Sequence, residues 1–210
     1  MKNLVAGVDI DGLNTTCALV DEFGKIYAKD SFPTAEYKEF KNYVARLKDE
    51  ILKLSQTLDI PHNVLAVGIG APNSNYYTGE IENATNLIWK GKLPLGHMLS
   101  DLFDGIPVVV TNDANAAAIG EMIYGGAKGM KDFVVITLGT GLGSGIVVNG
   151  NVLYGHDGYA GEVGHIIINK GAGGKYTINI YAGNQVFHTE EQYNSFKSRK
   201  FSKNCYFCAL

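Results

Sequence analysis

The chain has 210 residues, 46% of them hydrophobic and 19% charged, which is the composition of a globular protein with a buried core. Its formal net charge of -3 gives no basic surface for nucleic acid, so we expect no nucleic-acid partner. Three cysteines do not make a disulfide framework, no apolar run approaches the roughly 20 residues of a membrane span, and the N-terminus shows no signal-peptide pattern. The sequence therefore predicts a reduced, soluble, cytoplasmic protein that does not contact a membrane.

The pattern of apolar residues assigns most of the chain to strands and helices. Short apolar runs predict strands at 4–10, 16–20, 25–31, 64–70, 108–111, 133–138 and 146–148. Apolar residues at helical spacing and helix-forming composition predict helices at 34–58, 94–103 and 114–124. The first three strands are expected to form an antiparallel meander, and the strand at 64–70 is expected to be parallel.

Glycine and leucine are distributed unevenly. Sixteen of the 26 glycines lie between 120 and 174, which indicates tight turns or close approach of a ligand to the backbone. After residue 170 the only leucine is Leu210, and no helical or strand period continues. We therefore predict that 171–210 is a disordered tail, in which Cys205 and Cys208 are an incidental pair rather than a zinc site.

Two glycine-containing turns follow predicted strands. Asp9 ends the first strand, and the turn at Gly12 can leave backbone N–H groups facing a phosphate. The alternative is an ordinary hairpin turn in which Asp11 and Gly12 supply unusual dihedral angles. The second turn contains Gly139, Thr140 and Gly141, and its spacing is neither that of the dinucleotide fingerprint nor that of a Walker loop. It is either a phosphate loop, with Thr140 donating a hydroxyl, or a tight β-turn without ligand.

Two polar pairs have the chemistry of a sugar site. Asp113 follows a strand and starts a helix, so it is either an N-cap or a general base that accepts a hydroxyl proton. Asn112 beside it can bind a sugar hydroxyl. Glu162 and His165 lie three residues apart among glycines, and both side chains can hydrogen-bond adjacent hydroxyls. The alternative for His165 is a purely structural role.

Read together, the segments GVDIDGLNTTCALVDEFG, GIGAPN, TNDANAAAIGE, ITLGTGLGSGIVVNG and GYAGEVGH resemble the sugar kinases of the ROK (repressor, open reading frame, kinase) family, and within it the bacterial glucokinases. The resemblance covers residues 4–168. It implies an α/β actin-like ATPase (ribonuclease H-like) fold with a complete first lobe at 1–113 and a partial second lobe at 114–170. It also implies ATP-dependent phosphorylation of a hexose, most simply glucose, at the 6-hydroxyl with Mg²⁺.

The resemblance also implies roles for single residues. Asp113 would be the catalytic base. The sugar would be bound by Asn73, Asn112, Glu162 and His165. The phosphates of ATP and the Mg²⁺ ion would be bound by Asp9, Gly12, Gly139, Thr140 and Gly141.

Two departures from the family pattern bear on activity. The first phosphate turn of the family is usually DxGGT, whereas here Asp11 replaces a glycine, which predicts weaker ATP binding unless Asp11 turns outward or ligates magnesium. The cysteines and glutamate of a family CxCGxxGCxE segment fall on Lys175, Thr177, Ala182 and Asn184, so we predict that no zinc is bound. We hypothesise that the sequence after about Lys170 comes from a shifted reading frame.

Three readings of function are therefore open. The first is an ATP-dependent hexokinase or glucokinase, and the second is a catalytically inactive fragment that binds sugar or another protein. The third, a sugar-responsive repressor, would require an N-terminal helix-turn-helix, whereas this chain enters a strand by Leu4. A partial second lobe would expose the apolar faces of 133–148, which favours a homodimer or aggregation.

Overall fold

The structure is a computed structural model that describes residues 1–138 and 141–165, together with the backbone of three short strands at 169–170, 176–177 and 205–209. The chain divides into two compact units, Met1–Asp113 and Ala114–Leu210, and we describe each by itself. None of the helices in the described part is both long and apolar enough to span a bilayer.

The first unit is built on a five-stranded mixed sheet. The unit as a whole has eight strands: β1 (Lys2–Ile10), β2 (Asn14–Val20), β3 (Ile26–Pro33), β4 (His62–Gly70), β5 (Ser74–Asn75), β6 (Glu80–Glu82), β7 (Lys92–Leu93) and β8 (Val108–Thr111). Its complete helices are α1 (Phe40–Gln56) and α2 (Leu95–Leu102). The large sheet has the order β3-β2-β1-β4-β8, and β5, β6 and β7 form a small separate sheet. The pairs β1–β2 and β2–β3 are antiparallel, whereas β1–β4 and β4–β8 are parallel, which confirms the predicted meander and the parallel strand.

One face of the large sheet and the apolar stripe of α1 form the core of the first unit. Alternate residues of β1, beginning with Leu4 and ending with Ile10, are buried, as the period of a half-buried strand requires. On α1, Tyr43, Leu47 and Ile51 are at most 1% exposed and lie on one side of the helix. This packing fixes the carboxyl end of β1.

The first helix is shorter than the sequence predicts. The apolar stripe predicts a helix from 34 to 58, but Thr34–Glu36 forms a single 3-10 turn and α1 begins at Phe40. Tyr37 is extended, and its carbonyl accepts a hydrogen bond of 2.9 Å from the indole N–H of Trp89. Tyr37 fits the apolar stripe because its ring packs against Phe32, although the helix itself does not extend to this residue.

The second unit starts with α3 (Asp113–Ile123), whose first residue closes the first unit, and continues into a sheet. Its strands are β9 (Phe133–Leu138), β10 (Leu142–Val148), β11 (Asn151–Val152), β12 (Asn169–Lys170), β13 (Tyr176–Thr177) and β14 (Cys205–Ala209). The main sheet has the order β11-β10-β9-β14, with β9 and β10 antiparallel, and β12 and β13 form a separate pair. Phe133, Val135 and Val147 are buried and form a small core with Ala118 and Ala127.

Two glycines of the second glycine-rich segment lie in a strand rather than in a turn. The sequence predicts a strand only at 146–148, whereas β10 begins at Leu142. A Cβ on Gly145 would lie 2.6 Å from both the carbonyl oxygen of Ala114 and the Cβ of Ala118. A Cβ on Gly143 would lie 2.6 Å from the Thr137 hydroxyl oxygen and 3.1 Å from the Cβ of Ala114. These glycines let α3 pack directly on β10, so their presence requires no ligand.

The tail prediction does not hold for seven residues. The sequence predicts no regular structure in 171–210, but Tyr176–Thr177 forms β13, which pairs with β12. Cys205–Ala209 forms β14, which pairs antiparallel with β9 from Phe133 to Thr137. A strand that pairs with an existing sheet edge needs no apolar period of its own, because its backbone groups supply the hydrogen bonds.

Candidate active site

The carboxyl ends of three parallel strands place candidate residues in one row. Asp9 of β1 is the register partner of Gly70 in β4, and Gly70 is the register partner of Thr111 in β8. The β1–β2 turn, the segment after β4 and the residues that start α3 therefore leave the same edge of the sheet. Crevices outside the carboxyl ends of strands are the usual binding positions of open α/β sheets.

Asp9 lies in a concentration of negative charge. Its side chain is accessible to solvent, but the surrounding protein desolvates the carboxyl enough to raise its pKa above the ordinary value. The carboxylates of Asp113 and Asp11 raise the pKa of Asp9 further, and Lys29 opposes them only weakly. An excess of carboxylates at one strand end is an environment that a cation would stabilise.

The β1–β2 turn uses Asp11 as an internal hydrogen-bond acceptor. The backbone N–H of Leu13 donates to Asp11 Oδ1 over 3.1 Å, and the N–H of Asp11 donates to the carbonyl of Asn14 over 3.0 Å. The carbonyl of Leu13 accepts the N–H of Thr34 over 2.9 Å. Asp11 is exposed, and its charge still reaches Asp9. Asp11 thus closes the turn through its side chain, whereas neither Asp11 nor Gly12 has the positive φ that the hairpin-turn alternative expected.

Gly12 is required by a contact within the protein. A Cβ at this position would lie 2.4 Å from the carbonyl oxygen of Asn86, closer than real contacts allow. The backbone of Gly12 does not adopt the left-handed conformation, since it is not among the glycines with positive φ. No sequence pattern indicates this contact, because Asn86 lies in a distant loop.

The loop that carries Asn86 is held at several points. Asn83 and Gly91 close it, since the N–H of Asn83 donates to the carbonyl of Gly91 and Asn83 Oδ1 accepts the N–H of Gly91. The Lys90 ammonium donates to the carbonyls of Ala84 and Leu87 over 3.0 Å and 2.9 Å. We call residues 83–91 the clamp loop, because it fixes the position of the β1–β2 turn through Gly12.

Asn73 is half-buried after β4 and partly used by its own loop. Its backbone is left-handed, with φ of 50°, and its carbonyl accepts the N–H of Glu82 over 2.9 Å. Its side-chain amide donates to the Glu82 carbonyl over a long 3.4 Å. The side-chain oxygen of Asn73 accepts no hydrogen bond from the described residues, so it is available to a hydroxyl group.

Asn112 and Asp113 stand where β8 passes into α3. Asn112 is half-buried and precedes the helix, whereas Asp113 is its first residue and is exposed. Because assigned helix starts vary by one or two residues, this position is compatible with both alternatives for Asp113, a helix cap and a general base.

Two buried hydroxyls beside this region were not found from the sequence. Ser74 follows Asn73 and Thr111 precedes Asn112, and both side-chain oxygens are buried without a hydrogen-bond partner among the described residues. Unsatisfied buried hydroxyls are uncommon, because their desolvation costs free energy. Single Ser and Thr residues carry no sequence pattern that could have indicated this.

In the second unit, Glu162 and His165 form a pair at the surface. His165 Nδ1 lies 3.3 Å from Glu162 Oε2, and the side chains are 75% and 37% exposed for His165 and Glu162. A 3-10 turn, Val163–His165, sets this spacing. Both side chains therefore present polar atoms to solvent, as ligands of a polyol must.

Glycines around this pair serve the packing of the protein. A Cβ on Gly164 would lie 2.2 Å from the carbonyl oxygen of Leu142, and Gly161 has φ of 92°. The Ser144 hydroxyl donates to the Gly161 carbonyl. The turn that carries Glu162 and His165 is thus fixed against β10.

Some predicted positions lie outside the described residues. Gly139 and Thr140 are among them, and Gly141 is described as exposed with open space around its Cα. The side chains at the four positions compared with the zinc segment, Lys175, Thr177, Ala182 and Asn184, are also outside. Within the described part of the chain, no three His, Cys, Asp or Glu residues are close enough to hold a metal ion directly.

Comparisons with known proteins agree with the sequence motifs. The sequence profile of the ROK family matches residues 5–191, beyond Lys170, so it does not support a change of frame at that residue. The glucokinase of Streptomyces coelicolor is 40% identical over 164 residues, covering 78% of this chain and 49% of its own length. The glucokinase of Halalkalibacterium halodurans is 39% identical over 164 residues, with 77% and 49% covered.

A solved structure extends the likeness to three dimensions. A ROK family glucokinase from Streptomyces griseus, in complex with glucose and AMPPNP, superposes with a TM-score of 0.69 and 36% identity, covering 79% of this chain and 51% of that one. This likeness confirms the actin-like ATPase fold. The chain spans about half the length of the curated relatives it matches.

Proposed function

This chain belongs to the ROK family, and we propose that it carries the catalytic base and the sugar-binding residues of an ATP-dependent hexose kinase. The observation that supports this most is the position of Asp113, an exposed carboxylate at the start of α3. It follows the carboxyl end of β8, which lies beside the carboxyl ends of β4 and β1. The preferred sugar is glucose, since the relatives that match best in sequence are named glucokinases.

In the proposed reaction, Asp113 accepts the proton of the sugar 6-hydroxyl. The hydroxyl oxygen forms a bond to the γ-phosphorus of ATP while the bond from that phosphorus to the bridging oxygen breaks, and ADP leaves in line. A positioned general base typically contributes about 10²–10⁴-fold to such a rate. Exposure of Asp113 allows a hydroxyl to reach it.

The remaining polar residues position the sugar. The side-chain oxygen of Asn73 is available for a hydroxyl group at the strand ends of the first unit, and Asn112 at the end of β8 is proposed to contact another. Glu162 and His165 add an acceptor and a donor in the second unit, on a turn that β10 holds in place. Directional hydrogen bonds of this kind orient one hydroxyl toward the base.

Asp9 is the residue best suited to the magnesium ion of Mg-ATP. Mg²⁺ usually keeps several water ligands and takes one or two carboxylates besides the phosphates, which agrees with a site that lacks three direct ligands among the described residues. Desolvation, and after it the charges of Asp113 and Asp11, raise the pKa of Asp9, which supports a site where a cation would stabilise the carboxylate. When bound, Mg²⁺ supplies charge stabilisation to the phosphates. The second glycine turn, at 139–141, is proposed to contact the same phosphates.

A second candidate function is binding of a hexose without phosphorylation. The hydrogen bond between Asp11 and the Leu13 N–H favours it, because this turn is the proposed contact for a phosphate. Both candidates share the sugar-binding residues and differ in nucleotide use.

The test is phosphorylation of glucose by the purified chain with Mg-ATP, measured through coupled formation of NADPH from glucose 6-phosphate. Asp113→Asn keeps the shape of the side chain and removes the base, and we expect a loss of kcat of at least about 10²-fold. Asp59→Asn is the matched control, since it removes one exposed negative charge before β4, at the opposite end of the sheet.

Calorimetric titration with glucose separates the two candidates. Turnover that Asp113→Asn abolishes and Asp59→Asn leaves unchanged supports the kinase. Glucose binding without turnover in any variant supports the sugar-binding alternative. Absence of both glucose binding and turnover would refute both candidates.

A further inference from the structure

Asp11 stands at the point of the β1–β2 turn where the proposed function requires a nucleotide phosphate. Its Oδ1 accepts the Leu13 N–H over 3.1 Å, while the Leu13 carbonyl is bonded to Thr34. Leu13 is 73% exposed, so this part of the turn lies at the surface. A carboxylate oxygen and a phosphate oxygen are both anionic acceptors and compete for the same donor.

The charge of Asp11 adds to that competition. Asp11 and Asp113 both raise the pKa of Asp9, and Lys29 lowers it. The phosphates of the nucleotide would bring more negative charge to this strand end, and a magnesium ion at Asp9 would offset part of that charge. Repulsion between unit charges about 4 Å apart is unfavourable even in water and grows as solvent is excluded.

Backbone groups on both sides of Asp11 shape the turn. The Asn86 carbonyl leaves no room for a side chain at Gly12, and the N–H of Asp11 donates to the carbonyl of Asn14 over 3.0 Å. Within this turn the carboxylate of Asp11 accepts the Leu13 N–H.

We propose that Asp11 is an internal competitor that restrains nucleotide binding, because its carboxylate takes the backbone donor at the β1–β2 turn that a phosphate oxygen of Mg-ATP would take. This inference rests on the proposed function, since it assumes a phosphate at this turn. It predicts that the chain binds hexose more readily than its nucleotide. It also assigns the restraint to one side chain, so that substitution there restores nucleotide affinity.

The test is calorimetric titration of Mg-ATP into the 210-residue chain and three variants. Asp11→Asn retains a side-chain oxygen for the Leu13 N–H and removes the charge, and we expect affinity for Mg-ATP to rise about fivefold. Asp11→Gly removes both charge and acceptor, and we expect a larger rise. Asp59→Asn, the charge control at the other end of the sheet, should leave the affinity unchanged.

Two further readouts identify the physical cause. The gain from Asp11→Asn should shrink toward unity in 1 M salt, because screening removes an effect of charge and not one of shape. Affinity for glucose should be the same in all four proteins. Thermal melting of each variant verifies that the first unit is folded before titration.

The outcomes separate this inference from the proposed function. Equal Mg-ATP affinity in the wild type and both Asp11 variants would overturn the inference. Glucose binding by all proteins with Mg-ATP binding by none would also overturn it, while the sugar-binding part of the proposed function would stand. Loss of glucose binding throughout would refute the proposed function itself.

Discussion

Substitution of Gly12 by alanine tests whether the clamp loop fixes the β1–β2 turn. The added methyl group would lie 2.4 Å from the carbonyl oxygen of Asn86, and contacts below about 3 Å essentially do not occur, so one of the two backbones must move. The Lys90 hydrogen bonds and the paired Asn83 and Gly91 resist that movement. Overpacking typically costs about 1–3 kcal/mol, and we expect the upper half of this range because the obstacle is backbone.

The measurement is urea unfolding of the wild type, Gly12→Ala and the control Gly68→Ala. Gly68 lies in β4 of the same sheet, and its Cβ would meet no atom within 4 Å. We expect the unfolding midpoint of Gly12→Ala to fall by about 1 M urea, and that of Gly68→Ala to stay level or rise.

Combination with Lys90→Met identifies the source of the strain. Removal of the ammonium frees the carbonyls of the clamp loop, so the loop can yield, and Gly12→Ala should then cost about 1 kcal/mol less than in the wild-type background. A free energy of unfolding for Gly12→Ala within about 0.5 kcal/mol of the Gly68→Ala value would refute the reasoning. Gly12 would then be explained by its ligand and not by Asn86.

Two other predictions concern stability. Gly145→Ala should lower the free energy of unfolding by about 1–3 kcal/mol, because its methyl group would lie 2.6 Å from the Ala114 carbonyl oxygen and from the Ala118 Cβ. Gly120→Ala is the control in α3, the helix that packs on Gly145; its methyl group has open space, so it should raise the free energy of unfolding. Equal effects of the two substitutions would contradict the packing argument. At Asp21, burial opposes ionisation, but the Lys2 ammonium and the N–H groups of Lys25 and Phe23 outweigh it and lower the pKa to about 2. The stability that this carboxylate contributes is complete above its ordinary pKa of 3.8 and is lost as the pH falls through about 2. Asp21→Asn should therefore reduce the fall of the free energy of unfolding between pH 4 and 2. An unchanged dependence on pH would contradict the assignment.

Local sequence patterns predicted the elements that a single residue period determines. The β1 run from Leu4 to Ile10 alternates between buried and accessible positions, and the strands before Asn73 and Asn112 are apolar enough to be assigned to a buried sheet. The carboxyl ends of parallel neighbours meet at one edge, so the positions of Asp9 and Asp113 follow from the strand order alone.

The remainder depended on contacts between distant residues. Gly143 and Gly145 look like loop residues in the sequence, and only the approach of α3 shows why a strand needs them. Gly12 and Asn86 are 74 residues apart, and no period or motif connects them. The predicted start of the first helix at residue 34 was wrong for the same reason, since the Trp89 indole N–H bonds the Tyr37 carbonyl outside the helix.

These contacts change which residues count as evidence for function. Gly12, Gly145 and Gly164 are each explained by a neighbouring backbone group, so glycine at these positions would be required even without a ligand. Asp9 is different, because desolvation and the like charges of Asp113 and Asp11 raise the pKa of its carboxyl. A carboxyl in such surroundings is a candidate for binding a cation, which is the role proposed for Asp9. The carboxylates, rather than the glycines, therefore carry the argument for a kinase site in this chain.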